Sequence, residues 1–366
     1  MSQLSSETDV VVLGLGIHGA ATAYELALRG VKVVGIEQFE ALHDRGSSHG
    51  ATRMIRRAYP NPVWNPLVGE AFDGWARWEA AAGTTFYTPT TGLYAHRGEA
   101  TMQGGRSRAV EAGHVTALMP SVSFPEGHNA VYDPDAGVLA AASALEFAHS
   151  AARRHGAELS FGERVISWES DENGVTVTTD ARSIRASKLV VAGGAWASSL
   201  LPRYSERFEV WRIVTLAART GQTCAQPPML GTFSVDMDGG LVFGLPEIGD
   251  AGAKIGIDAG PVWDPNTPVG DATPAEVDRL TQLFRAFVPD IDLEGAEAVA
   301  CLYTMTPDLR FVIGEIPGQA NVIAAAACSG HGFKFGPAIG AAAADLAQGI
   351  ARPDLDFVSP MRWEAA

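Results

Sequence analysis

Val10 to Glu37, VVVLGLGIHGAATAYELALRGVKVVGIE, is the stretch on which the reading of this chain turns. Val10 to Leu13 is an uninterrupted apolar run, short enough for a fully buried strand. Gly14, Gly16 and Gly19 follow at GxGxxG spacing, then an Ala-rich helix that stops at Gly30 and a second strand from Val31 to Ile36. In such a unit Gly14 permits the tight turn and Gly16 lets the backbone approach a pyrophosphate. Gly19 lets the helix pack close to the strand, and the helix N-terminus offers free N–H groups to phosphate. Glu37 comes 23 residues after Gly14, where a carboxylate accepts hydrogen bonds from a ribose and repels the extra phosphate of NADP. Strand, turn, helix and acid in register predict a dinucleotide site. These residues do not choose between NAD and FAD.

Length and composition set the frame. The 366 residues suggest two domains, and 46% hydrophobic residues suffice for ordinary cores. A net charge of -15 argues against a nucleic-acid partner, since phosphate binding needs a basic face. Residues 1–9, MSQLSSETD, have neither the basic start nor the apolar centre of a signal peptide, and no apolar run reaches a membrane span, so the expected location is cytoplasmic. Cys224, Cys301 and Cys328 are too scattered for a disulfide framework or a metal site, and no metal is expected.

Further along, GSSHGATRMIRRAYP (Gly46 to Pro60) reads as a polar loop rich in hydroxyls and arginines. A helix is expected over 66–82, with Leu67, Phe72, Trp75 and Trp78 roughly on one face, then strands over 84–98 and irregular chain over 104–137. A helix from about Ala140 to Arg154 leads to a hairpin turning at Asn173-Gly174, and Leu189 to Ala192 ends in the glycine turn Gly193-Gly194-Ala195-Trp196. From 209 to 300 strands alternate, with a hairpin at Gly239-Gly240. One amphipathic helix interrupts them, with Thr273 as cap, Pro274 at its first position and Val277, Leu280, Phe284 and Phe287 on one stripe. Asn321 to Gly349 repeats the pattern of strand, glycine turn and Ala-rich helix.

Three segments behind GLGIHG carry a resemblance. GSSHGATRMIRRAY, CLYTMTPD (Cys301 to Asp308) and SGHGFKF (Ser329 to Phe335) are similar to motifs of the monomeric sarcosine oxidase family, which includes N-methyltryptophan, pipecolate and fructosyl amino acid oxidases. The resemblance spans nearly the whole chain and implies an α/β fold, a Rossmann-like FAD-binding domain interleaved with an antiparallel β-sheet substrate domain. The expected division is 1–84, 140–208 and 305–366 for the first and 85–139 and 209–304 for the second.

It also implies FAD, joined through a thioether to the cysteine that matches Cys301. Expected cofactor contacts are Gly14, Gly16, Ile17, His18, Gly19, Glu37 and Gln38, then Ser47, Ser48, Arg53, Val165, Gly194 and Trp196. The later segments add Cys301, Gly330, Gly332, Phe333 and Lys334. The pair that holds the substrate carboxylate matches Arg56 and Lys334, with Arg53 about one turn away if the segment is helical. Lys254 matches the lysine set over the flavin face to activate O2, where a fixed cation stabilises developing negative charge. His49, Tyr303 and His331 match residues near the flavin. The helix after Lys334 is expected to point its N-terminus at the flavin.

Two positions depart from the sarcosine-oxidising pattern: Phe243 stands for a tyrosine, and Asp258 for a histidine four residues past the lysine. Asp258 is expected to repel a second carboxylate or pair with a cationic group on a larger substrate. The implied activity is FAD-dependent oxidation of the C–N bond of a secondary amino acid, giving an imine and H2O2, by a monomer whose partners are a carboxylate-bearing amino acid and O2. Fructosyl or cyclic imino acid (pipecolate, proline) oxidation is the alternative substrate class. A flavoprotein dehydrogenase passing electrons to a partner, an NAD-dependent dehydrogenase and a subunit of a larger oxidase are the alternatives of other kinds.

Overall fold

The computed structural model describes residues 5–98, 102–326 and 328–364. Residues 1–4 of the segment used to argue against a signal peptide lie outside this range. Among the described residues no helix is long and apolar enough to cross a membrane.

The opening stretch forms strand Ser5–Leu13, helix Ile17–Leu28 and strand Val33–Glu37. Ser5–Leu13 pairs in parallel with Val33–Glu37 on one side and Ser183–Val191 on the other, and Val33–Glu37 pairs in parallel with Glu158–Phe161. The strand Ser183–Val191 is forked. Its first half pairs with the antiparallel hairpin strand Gly174–Thr179, and its last residues pair in parallel with Gln319–Ala326. The continuous apolar run is explained by burial on both faces. Val10 and Val12 pack with helices Ile17–Leu28, Ala141–Arg154 and Gly336–Ala347, while Val11 and Leu13 pack with Ala197, Leu201 and Tyr204.

The second sheet has eight strands in the order Glu297–Met305, Glu209–Ala218, Ala253–Ile257, Gly240–Leu245, Thr232–Met237, Gly92–His96, Asn129–Asp133, Arg108–Val110. All its pairings are antiparallel except Gly92–His96 with Thr232–Met237, which run parallel. Helix Pro274–Phe287 opens with a Thr273/Glu276 capping box and buries Leu280, Phe284 and Phe287 against Leu216, Phe233 and Ile255. The strand period of two sends Lys254, Phe243, Cys301 and Tyr303 to the opposite face, where they line a cavity. A third, three-stranded sheet joins Thr52–Ile55, Gly137–Ala140 and Tyr87–Pro89.

Three details differ from the sequence reading. The segment 104–137 is not irregular throughout, because it holds strand Arg108–Val110, helix Ala112–Leu118 and strand Asn129–Asp133. The two hairpins turn one residue early, at 172–173 and 238–239. Gly174 and Gly240 instead open the returning strands, at φ of 138° and 132° that side chains rarely adopt. Arg53 lies in a strand, not a helical turn, since Thr52–Ile55 pairs with Gly137–Ala140; Arg56 follows just past its end.

Candidate active site

A cavity of about 960 Å³ opens at the carboxyl ends of the parallel strands and runs to the face of the second sheet. Every site residue expected from the sequence lines it except Gly19. Gly19 lies behind the lining: a β-carbon there would stand 1.8 Å from the Gly14 carbonyl oxygen, so only glycine lets helix and turn meet.

At one end lies the glycine turn. Gly14 takes φ +84°, and a β-carbon on it would meet the Ala192 carbonyl oxygen at 2.5 Å. Gly16 has no side chain to cap helix Ile17–Leu28, and the helix N-terminus, with its positive dipole end, lies in the cavity wall. Ser48 Oγ accepts from Ile17 N at 3.0 Å, and His18 Nε2 lies 3.2 Å from the Gly332 carbonyl oxygen. Glu37 is buried, and its carboxylate accepts from Leu15 N at 3.0 Å and Phe39 N at 3.1 Å, with His43 Nε2 at 3.5 Å. Burial alone would raise this carboxyl, but the bonds from His43, Leu15 and Phe39 outweigh it and hold Glu37 below the usual carboxylate range. His43 and His149, whose Nε2 donates to the Leu15 carbonyl oxygen at 2.7 Å, are supporting residues that no sequence signal marked. Gln38, Val165, Gly194 and Trp196 complete this end, Trp196 lying edge-on to Phe39 at 5.2 Å.

In the middle, Arg53 donates to the carbonyl oxygens of Thr52, Ser47 and His49 at 2.8, 2.7 and 2.6 Å, and its guanidinium sits 5.5 Å from the Phe333 ring centre. Ser47 Oγ donates to the Leu302 carbonyl oxygen, tying this segment to the strand that carries Cys301. Lys254 Nζ donates to the Thr52 carbonyl oxygen at 2.7 Å. Burial and then the charge of Arg53 depress the Lys254 ammonium to about 7, opposed by Cys301. Cys301 is a buried free thiol whose pKa burial pushes up, against the pull of Arg53 and Lys254. His49 is depressed to about 4 by burial and Arg53, and its Nε2 is buried without a partner among the described residues.

At the far end stand two more cations. Arg56 reaches Ser234 Oγ at a long 3.5 Å, and its Nε is buried with no partner among the described residues. Lys334 Nζ donates to the His331 carbonyl oxygen at 2.7 Å, while the Lys334 carbonyl oxygen accepts from Trp75 Nε1 at 2.7 Å. Burial, and then Arg56, holds the Lys334 ammonium well below the usual lysine range. The turn that presents Lys334 carries strain: Ser329 adopts φ 43° although it is not glycine. A β-carbon on Gly330 would stand 2.6 Å from the Tyr303 ring, so the turn lies flush against that ring. Helix Gly336–Ala347 follows, again without a side-chain cap. Asp258 Oδ1 accepts from Leu241 N at 2.6 Å, and Phe243 lies over Gly256, where a β-carbon would meet its Cζ at 2.5 Å. Tyr59, Tyr94 and Ser234 around Arg56 were not singled out from sequence; Tyr59 lies in the RRAY segment, but only the fold brings Tyr94 and Ser234 beside it.

This donor set fits FAD. One cavity holds a helix N-terminus, a glycine turn and a buried acid at one extremity. It holds a free thiol, buried cations and two buried nitrogen atoms, His49 Nε2 and Arg56 Nε, without a partner among the described residues toward the other.

Comparison with known proteins gives the same assignment. The family model described as FAD dependent oxidoreductase, DAO, matches residues 9–346. The chain is 31% identical to the monomeric sarcosine oxidase of Streptomyces avermitilis, over 99% of this chain and 100% of that protein. It is likewise 31% identical to the peroxisomal sarcosine oxidase of Homo sapiens, over 91% of this chain and 90% of that protein. In fold it is similar to NikD, described as an unusual amino acid oxidase essential for nikkomycin biosynthesis, with a TM-score of 0.83, 24% identity and coverage of 97% and 98%. The chain therefore belongs to the DAO family of FAD-dependent oxidoreductases, in the group of the monomeric sarcosine oxidases.

Proposed function

We propose that this flavoenzyme oxidises the C–N bond of a secondary amino acid of the N-methyl type, with O2 as acceptor, giving an imine and H2O2. The observation that carries this reading is the meeting of Arg56 and Lys334 in the cavity that also holds Cys301 and Lys254. FAD, when bound, supplies an acceptor for the two electrons of the C–H bond next to the substrate nitrogen and returns them to O2. Arg56 and Lys334 hold the substrate carboxylate, a guanidinium being suited to bidentate grip and an ammonium adding a point charge. Their charge and the exclusion of water favour the unprotonated amine, so no side chain need act as general base. Lys254, held by Thr52, places a cation where charge develops as O2 is reduced. Arg53 and His49 frame the same region, and Tyr303 with Phe243 bounds the substrate space.

Cys301 is the attachment point we assign to the flavin, on its burial in the cavity wall beside Lys254 and Arg53. We read the chain as a monomer, in keeping with its similarity to monomeric sarcosine oxidases, and as cytoplasmic. The proposed domains follow sheet membership, with the segments 92–133 and 209–305 building the second sheet. Acid precipitation of purified protein tests the attachment: a yellow pellet supports it, and free flavin in the supernatant defeats it. H2O2 release with sarcosine, other N-methyl amino acids, proline, pipecolate and fructosyl amino acids tests the activity. Oxidation of none of them, or reduction of a quinone with no H2O2, overturns it.

A further inference from the structure

His331 sits between the rim of the cavity and the residues that flank Arg56. Its Nε2 lies 3.2 Å from the Leu309 carbonyl oxygen, and its Nδ1 lies 3.3 Å from the Tyr59 hydroxyl. A carbonyl can only accept, so Nε2 carries the hydrogen, Nδ1 is the acceptor and the Tyr59 hydroxyl is the donor. The imidazole is packed against Phe311 at 4.7 Å and Trp64 at 5.3 Å, with Phe335 beyond, and burial holds it neutral. It therefore has one tautomer and little room to turn.

Tyr59 is 2% exposed. Its ring centre lies 5.0 Å from the Arg56 guanidinium and 5.9 Å from the Lys334 ammonium, and Tyr94 presents a second ring to Arg56, also at 5.0 Å. Among the described residues no carboxylate forms an ion pair with Arg56 or Lys334. A carboxylate partner would hold these mutually repelling cations, but it would also neutralise them and compete with an anionic ligand. Ring faces attract a cation without cancelling its charge.

We propose that Tyr59 and Tyr94 clamp Arg56 between their rings as a receptor for the substrate carboxylate, one that no protein carboxylate pairs with among the described residues, and that His331 is a positioning residue that fixes Tyr59 in that clamp. His331 thus acts through Tyr59 instead of touching the substrate. Its second bond extends the arrangement to the rim, where Leu309 lies 56% exposed at φ 56° in the turn closed by the bond from Leu309 N to the Thr306 carbonyl oxygen. The rim and the clamp are held by one imidazole.

This inference rests on the functional reading above, and binding by the holoenzyme separates the two. The probes are furan-2-carboxylate and furan-2-carboxamide, titrated by calorimetry so that no turnover is needed. Tyr59→Leu removes a ring and is expected to weaken the carboxylate about tenfold while leaving the carboxamide unchanged. Tyr59→Phe and His331→Phe keep the packing and lose the shared bond, and each is expected to weaken the carboxylate about threefold. The double variant Tyr59→Phe/His331→Phe is expected to be no worse than either single change, because both remove the same link. Equal weakening of carboxylate and carboxamide, additive effects in the double variant, or unchanged carboxylate binding in both phenylalanine variants overturns the inference alone. Wild-type holoenzyme that binds no carboxylate overturns the functional reading and this inference with it. The two phenylalanine variants carry the test even where Tyr59→Leu does not fold.

Discussion

Lys254 Nζ and the carbonyl oxygen of Thr52 meet at 2.7 Å, so the second sheet is fastened to the three-stranded sheet through an ammonium with a neutral partner. Because the acceptor carries no charge, burial is not compensated, and the ammonium titrates at about 7. The cation is present below that pH and lost above it. Reoxidation of the reduced enzyme by O2 is therefore expected to slow as pH rises from 6 to 8, and Lys254→Met is expected to slow it by roughly 10²-fold at pH 6 and flatten the profile. The linkage has a definite sign. An unfolded lysine titrates at about 10.4, so between about 7 and 10.4 the unfolded chain binds the extra proton and the burial penalty is relieved as pH rises. Lys254→Met should accordingly raise the melting temperature more at pH 6 than at pH 9. Stopped-flow reoxidation and melting curves check both, and a pH-independent wild-type rate over this range sinks the assignment.

Gly19 shows why the glycine spacing matters even for a residue that does not line the cavity. With a β-carbon placed 1.8 Å from the Gly14 carbonyl oxygen and 3.3 Å from the Ala192 Cβ, Gly19→Ala must push helix Ile17–Leu28 off the strand ends. The helix N-terminus would then retreat from the cavity. FAD content of the purified protein is expected to fall severalfold and stability by about 1–3 kcal/mol, the range for an overpacked core. Full flavin content with an unchanged melting temperature would contradict the packing argument.

Much of the nucleotide-binding half was legible because its signals are local: an apolar strand, glycines at fixed offsets, and an acid one strand later. The rest depended on features that local pattern does not carry. Arg108–Val110 and Ala112–Leu118 are too short for hydrophobic periodicity to show, and the strand at Arg53 exists because Gly137–Ala140 pairs with it. Both hairpins were found but turned a residue early, since a glycine marks the positive φ, which here opens the returning strand. The roles expected of Cys301, Lys254 and Lys334 came through family resemblance; what the fold added was Tyr94 and Ser234, brought from distant segments beside Arg56.

Acid should loosen this site before it unfolds the surface. His18 and His49 are depressed to about 4 and His331 to about 3, mainly by burial. An unfolded histidine titrates at about 6.5, so as pH falls through 6.5 the unfolded chain takes up protons that the folded chain refuses. The stability they contribute by staying neutral is present above 6.5 and is lost progressively toward pH 4 and below. Glu37, depressed below its ordinary range, acts in the same direction only below about 4.3, where an unfolded glutamate takes up its proton. The melting temperature is expected to fall by several degrees, on the order of 5 °C, between pH 6.5 and 4.5, and His49→Gln to reduce that slope. Asp258, raised to about 6, works in the opposite direction over the same window, so differential scanning calorimetry of His49→Gln beside wild type decides it; an equal slope in the two proteins would rule out a buried neutral His49.

Asp258 is expected to bias which substrates the cavity accepts. Along the strand Ala253–Ile257, position 258 follows Lys254 by four residues, about 13 Å on the same face at 3.3 Å per residue. Gly256 lies between them beneath the Phe243 ring, so Asp258 stands beyond that ring, toward Arg56. Burial raises its carboxyl to about 6, opposed by the bond from Leu241 N and the charge of Arg56. At pH 7.5 it is ionised, and a substrate with a second carboxylate meets an anion there, whereas one with a second cationic group finds a partner. Asp258→Asn keeps an oxygen for Leu241 N and removes the charge. The ratio of kcat/KM for a cationic over a diacid N-methyl amino acid is expected to fall about tenfold at pH 7.5, equivalent to about 1.4 kcal/mol of lost discrimination. In wild type the same ratio should fall as pH drops below 6 and the carboxyl takes up its proton, while Asp258→Asn should show no such change. An unaltered substrate ranking in Asp258→Asn, or a ratio with the same pH dependence in both proteins, would remove Asp258 from substrate selection and leave it as the acceptor that closes the hairpin at Leu241.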